Sequence, residues 1–389
     1  MTEVLITGIG AVSCHGYGAG ALRRAMASAT VQLPHRPADP LAHMDLPLIY
    51  LVPEELGRRP PEDGRAGEFA VAATDEALAD AGLDETVSPE TRFGTVIGSC
   101  MGEAGQHERG RGLGGWNPAF GIAARVGDRL GRFGTNTSIA NACSAGLFAI
   151  STGVDMIRCG EADVVLAGGS DAYSRVALGC FNRMGAVDPV RCRPFDRHRS
   201  GTVFGEGAGM VVLESAEHAA ARGARGYARV DGAGWSCDAY HATAPDPQGE
   251  QITRAMREAL AEAGRRTGSG PAEVGGVIPH GTGTSLNDVV ESQALATVLG
   301  PDTPNVPLYS LKALIGHTGG AAAGLSVVAA AMILRQGHLP ANVPLDELDP
   351  LCAIRLPEHG PTPLADPSVL VNAYAFGGNN VSLLLRDAA

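Results

Sequence analysis

Lysine is almost absent from this chain: Lys312 is the only one among 30 lysine and arginine residues in 389. Arginine meets every other need for positive charge. A solitary lysine therefore marks a place that accepts a compact ammonium with three donors and refuses a planar guanidinium. Basic charge is also scarce overall. A formal net charge of −12 excludes general binding to nucleic acid, because phosphate neutralisation requires a basic surface. An acidic partner would have to meet a local patch of arginine. Long apolar runs are missing too: AAAGLSVVAAAMIL, 321 to 334, has 14 residues, the length of a buried core helix rather than of a membrane span. The N-terminal MTEVLITGIGAVS carries an acidic residue where a secretory signal carries basic ones, and it is expected to fold as a strand. Eight cysteines, at 14, 100, 143, 159, 180, 192, 237 and 352, form neither CxxC metal pairs nor a dense disulfide scaffold. A reducing cytoplasm is the expected compartment.

What is present is a soluble globular composition, 44% apolar and 19% charged, in a chain long enough for two domains or one duplicated unit. Strand-like runs (EVLITGI, FGTVIGS, ADVVLAGG, GMVVLES) alternate with helical ones (68 to 82 and 144 to 159). The β-runs are apolar throughout, which predicts an α/β fold with sheets covered on both faces by helices. The recipe restarts near Arg225, giving expected units 1–224 and 225–389. A duplication is suggested by CSAGLFAISTGVDMIRCG (143 to 160) and AAAGLSVVAAAMILRQG (321 to 337), which share AGL, a small-residue apolar helix and Arg-x-Gly. The Pro-rich stretch from Pro34 to Pro61 reads as an irregular excursion rather than a linker.

Four short segments hold the chemistry. NACSAG places Cys143 where a strand meets a buried helix, so the helix dipole and free amides favour a thiolate. An ordinary thiol is only about 3% ionised at pH 7, so such a site activates it. IPHGTGTSLND puts His280 at a strand end, followed by Thr282 and Thr284 alternating with glycines, a lining for an extended polar ligand. IGHTGG carries His317 five residues after Lys312, in the loop that the duplication pairs with the Cys143 loop. YAFGGNN is a glycine turn around Phe376.

Together these segments resemble a β-ketoacyl synthase of the thiolase superfamily, of the type that works with an acyl carrier protein. NACSAG, PFDRHRSGTVFGEGAGMVVLE, HGTGT, KALIGHTGGAAAG and AFGGNN occur in the family's order across almost the whole chain. The resemblance implies a duplicated five-layer αβαβα fold with two mixed sheets around buried helices. It implies decarboxylative condensation of an acyl-Cys143 thioester with malonyl-carrier protein, giving a 3-ketoacyl product, without metal or organic cofactor. By the same resemblance His280 and His317 stabilise the developing enolate, and Lys312 organises them beside Glu291, with Asp288 one turn earlier. The amides of Cys143 and Phe376 form the oxyanion hole within a gate that includes Gly377 and Gly378. Thr282, Thr284, Thr202 and Asn379 are the implied contacts for substrate and pantetheine.

Three departures bear on acyl preference. Thr202 replaces an aromatic that usually borders the acyl pocket, Ala375 replaces a hinge glycine, and the segment from Met101 to Ala119 is short. Arg58, Arg59, Arg65 and Arg193 are the candidate patch for the carrier protein, with Arg191, Arg197 and Arg199 near the last of them. The implied partner is an identical chain or a related cysteine-less subunit. Two other readings have specific marks: a non-catalytic chain-length factor usually lacks the cysteine, and a coenzyme A-dependent thiolase expects a second cysteine near the C-terminal glycine turn.

Overall fold

The computed structural model describes residues 2–54, 64–83, 91–108, 118, 120–131, 134–268 and 270–388. Arg58 and Arg59 lie outside the described residues. The strands that position the site are β1 (Val4–Ser13), β2 (Phe93–Gly98), β3 (Asn136–Ile139), β4 (Val164–Asp171), β5 (Gly207–Ser215), β6 (Ala228–Cys237), β7 (Gly276–Ile278), β8 (Ser368–Tyr374) and β9 (Asn379–Asp387). The helices are α1 (Arg65–Ala81), α2 (Ala145–Arg158), α3 (Arg175–Arg183), α4 (Glu250–Thr267), α5 (Asn287–Leu299) and α6 (Ala321–Gln336). Every residue of β4 and β5 is buried, as expected for strands covered on both faces.

The strands run across the sheet in the order β7-β8-β9-β6-β1-β5-β4-β2-β3. One arrangement occurs twice in it. In the first part β1 and β5 are antiparallel, β5 and β4 antiparallel, β4 and β2 parallel, and β2 and β3 parallel. In the second part β6, β9, β8 and β7 repeat those senses, and a single parallel bridge from Val277 to Leu308 stands where β3 stands in the first. The two expected sheets are thus joined edge to edge, through the pairs Leu5–Arg229 and Ile6–Ala228 between β1 and β6.

Helix α1 covers the outer face of β1, β5 and β4, and α4 covers β6 and β9. Helices α2 and α6 lie between the two parts of the sheet and touch both, which gives the five layers. They cross where their shared AGL sequences meet. A Cβ on Gly146 would stand 2.5 Å from Gly320 O and 3.1 Å from Gly324 N, so the contact admits only hydrogen. Residues Ala321 to Leu334 of α6 are all buried, which is why that run is apolar on every side.

Candidate active site

Cys143 sits in a single 3-10 turn, Ala142–Ser144, between β3 and α2. Ala142 holds φ +58, a left-handed conformation uncommon outside glycine, which turns the chain sharply into the helix. The sulfur lies at the meeting of two cavities. One, of about 300 Å³, is lined by His280, His317, Thr282, Thr284, Thr202 and Phe376 among others. The other, of about 200 Å³, has largely apolar walls that include Ile49, Met101, Leu178, Phe181 and Phe204. Phe181 and Phe376 line both cavities, their rings stacked at 5.2 Å and 5°.

The second half of the chain brings the histidines to the same place. The His280 N–H donates to Glu291 Oε1 and the Gly281 N–H to Glu291 Oε2, each at 2.7 Å, so a carboxylate on α5 fixes the end of β7. Lys312 opens a one-turn helix, and its Nζ donates to the His280 carbonyl at 2.5 Å. His317 is held between two backbone bonds of neighbouring β-structure, its N–H to Val203 O at 2.8 Å and its carbonyl to the Gly205 N–H at 3.0 Å. Its ring lies 5.6 Å from that of His280, nearly perpendicular, and 5.8 Å from that of Phe204. Among the described residues, His317 Nδ1 has no partner.

Burial governs the charges here. It drives His280 well below the usual imidazole range, helped by the positive charge of Lys312, so His280 is a neutral donor or acceptor at physiological pH. Burial also lowers Lys312, against the pull of Glu291 and Cys143, and pushes Glu291 up to about 7 despite its two amide donors. Cys143 moves the other way. The neighbouring Cys100 thiol is the largest influence holding its thiol well below the usual range, and His317 and Lys312 add to it against the opposing cost of burial. Asp288 fixes the HGTGT loop instead of meeting the lysine directly: it accepts from Phe195 N, Thr282 N and Gly283 N at 2.8 to 3.2 Å and lies 3.4 Å from Arg199 Nε.

Other expected positions divide. Thr282 and Thr284 share a hydroxyl contact of 2.9 Å on the channel wall, and Thr202 is a fully buried part of the same wall. Asn379 is displaced from that role. The wall takes Asn380, which pairs across the sheet with Tyr374, and strand alternation turns Asn379 away. Asn380 Nδ2 is held by Asp238 Oδ1 at 2.6 Å. The amides of Gly377 and Gly378 are consumed by Ala242 O and Ala375 O, so they serve the turn. Among the described residues the amides of Cys143 and Phe376 have no backbone acceptor.

The arginines expected to receive a carrier protein need correction. Arg65 pairs with the buried Glu206 at 2.7 Å, donates to Val52 O and stacks on Phe69. Arg193 is buried between Asp188 and Asp346. Both balance internal carboxylates and have no charge to spare for a partner.

Cys100 is the residue that local reading overlooked. It lies 43 positions before Cys143 and carries no motif, and the pairing of β2 with β3 brings both to the wall of one cavity. Among the described residues, no helix is long and apolar enough to cross a membrane.

Comparison with known proteins gives matching families, relatives and solved structures. The β-ketoacyl synthase N-terminal domain family matches residues 63–219, and the C-terminal domain family matches 227–346. Nodulation protein E of Rhizobium meliloti (strain 1021) is 38% identical over 349 residues, 83% of this chain and 82% of its own length. The 3-oxoacyl-[acyl-carrier-protein] synthase 2 of the same organism is 37% identical over 340 residues, 82% of this chain and 80% of its own. The solved ishigamide ketosynthase/chain length factor superposes with a TM-score of 0.89 at 33% identity, with full coverage of both chains.

Proposed function

Because the chain belongs to the β-ketoacyl synthase family and is a condensing acyltransferase, we propose that Cys143 is the sulfur that carries the acyl group and that the second half of the chain prepares the attacking carbanion. The observation that carries this reading is the position of Cys143 at the junction of a channel that holds both histidines and a second, almost wholly apolar cavity. A pantetheine arm lies along Thr282 and Thr284 in the channel, while its acyl chain enters the chamber beyond Phe181 and Phe376.

Thioester attack by the Cys143 thiolate places negative charge on the carbonyl oxygen. The amides of Cys143 and Phe376 are the donors that meet it. The acyl group stays on sulfur and the first carrier leaves. The malonyl thioester then occupies the channel, and loss of CO2 leaves an enolate whose oxygen accepts from the His280 and His317 rings. A neutral His280 suits this role, since it donates a hydrogen bond without surrendering a proton to the enolate. Carbanion attack on acyl-Cys143 forms the new carbon–carbon bond and returns the sulfur as thiolate. Lys312, tied to the His280 carbonyl and beside Glu291, sets the electrostatics of both imidazoles. Activation resides in the thioesters, so the proposed cycle draws on no metal or organic cofactor, and the cytoplasm is where it runs.

The carrier protein docks at the channel mouth, where exposed Arg183 stands beside exposed Met184 on the rim. A second subunit, identical or cysteine-less, completes the assembly, as in the ketosynthase/chain length factor relative. Incubation with acyl-loaded carrier protein followed by mass spectrometry tests the reading. An acyl adduct on Cys143 is expected, and its absence where a control synthase loads would point to a non-catalytic partner subunit.

A further inference from the structure

The loop after β2 brings a second thiol to the nucleophile. Strands β2 and β3 are parallel neighbours with Gly98 opposite Ile139, so the chain segments leaving them run side by side. Gly98 is pressed against the first turn of α2, where an added Cβ would lie 2.4 Å from Ala145 C. Cys100 and Cys143 consequently face the same apolar chamber.

Asp171, the last residue of β4, fixes this loop. Its carboxylate accepts from Ser99 Oγ at 2.7 Å, Cys100 N at 2.8 Å and Met101 N at 3.0 Å. It also accepts from Gly320 N at 2.5 Å, which ties the Cys100 loop to the start of α6 and to the His317 loop. The glycines there leave no slack, since a Cβ on Gly320 would stand 2.7 Å from Cys100 N.

The charges around the two sulfurs are unequal. The Asp171 carboxylate bonds the Cys100 amide, whereas Cys143 faces the cavity lined by His280, whose carbonyl holds the Lys312 ammonium. A negative neighbour opposes ionisation of the first sulfur and the ammonium favours ionisation of the second. One proton shared by this pair therefore resides on Cys100.

We propose that Cys100 is a further catalytic residue of this enzyme, whose S–H, oriented by Asp171, donates a hydrogen bond to the Cys143 thiolate. This rests on Cys143 being the nucleophile. In the waiting enzyme the bond holds Cys143 ionised. When the sulfur attacks a thioester its electron pair becomes the new C–S bond and the hydrogen bond is released. When the carbanion displaces it, the C–S bond breaks, the pair returns to sulfur, and the Cys100 S–H receives the departing thiolate. No proton changes hands at either step.

The test is the pH dependence of Cys143 alkylation by iodoacetamide, followed by peptide mass spectrometry on the full chain. Cys100→Val is nearly isosteric and has no donor; it is expected to raise the midpoint by about one pH unit, so that alkylation below the wild-type midpoint slows about tenfold. Cys100→Ser keeps a donor and is expected to restore most of the wild-type profile, which a purely packing role would not predict. Cys100→Ala stands in should the valine variant not fold, as judged by circular dichroism. An unchanged midpoint in a folded donor-less variant overturns the proposal. Failure of wild-type Cys143 to take an acyl group from carrier protein would instead overturn the functional reading, so the two failures are distinct.

Discussion

The two central helices have the same place in two copies of one strand arrangement, yet their entrances differ in kind. Helix α2 is entered through a strained 3-10 turn whose left-handed Ala142 presents a thiol at the first turn. Helix α6 is entered through His317-Thr318-Gly319-Gly320, a turn with little stiffness of its own that is fixed from outside by Val203, Gly205 and Asp171. The first half supplies a thiol whose geometry is local. The second supplies imidazoles and an ammonium whose geometry is borrowed from carboxylates and backbone some distance away. Under the proposed function the repeated arrangement divides the labour: covalent chemistry at one helix start, and charge handling at the other.

The sharpest way to break this comparison is to disable one half alone. Cys143→Gln is expected to abolish elongation while malonyl-carrier protein continues to lose CO2 in the presence of the second half's histidines, measured by product analysis and CO2 release. Loss of both activities would deny the division of labour.

Lys312→Arg preserves charge yet is expected to cost about 100-fold or more in condensation rate, since a fork must enter a site where one ammonium already contacts the His280 carbonyl beside buried Glu291. Steady-state turnover with both carrier substrates reads this out, and near-normal turnover would remove the account of the lone lysine.

The crossing of the two helices offers a structural test. Gly146→Ala drives a methyl into the backbone of α6 and is expected to destabilise by about 2–3 kcal/mol. Gly153→Ala, later on α2, meets only the side-chain ends of Leu213 and Val165 at 2.9 Å, and about 1 kcal/mol is expected. Denaturant midpoints compare them; equal losses would contradict a crossing centred on the shared AGL.

The last test concerns Glu103, a first-half carboxyl buried against Gly67 and Ala66 amides and pushed up by burial to about 7. The folded chain binds this proton more tightly than the unfolded chain, whose Glu titrates near 4.5. Stability from this group is therefore present below about pH 4.5 and is lost as pH rises to about 7. Glu103→Gln should flatten that part of the stability profile in urea titrations at several pH values; an unchanged slope would show that the group does not carry it.

Much of the molecule was legible from local pattern. Apolar runs such as VVLAGG predict doubly covered strands, an apolar run of 14 residues predicts a helix at the centre, and AGL in both halves marks what proves to be their crossing. Arg65, Arg193 and Asn379 are misplaced by local reading for one reason. Whether Arg65 or Arg193 is free depends on Glu206 and Asp188, and the face Asn379 turns to depends on the register that pairs Asn380 with Tyr374.

By itself the sequence determined the chemical inventory and the local elements: one thiol at a helix start, two histidines in glycine-rich loops, one lysine, and strands and helices in a repeated order. Covalent order and side-chain periodicity suffice for these. Only the tertiary structure decided which groups meet and which charges cancel. It set Cys100 beside Cys143, clamped two loops on Asp171, spent Arg65 and Arg193 on buried carboxylates, and made His280 neutral. The physical reason is that desolvation, charge pairing and hydrogen bonding act across space: Arg65 and Glu206 are 141 positions apart and Arg193 and Asp346 are 153 apart, and no short window along the chain contains both partners.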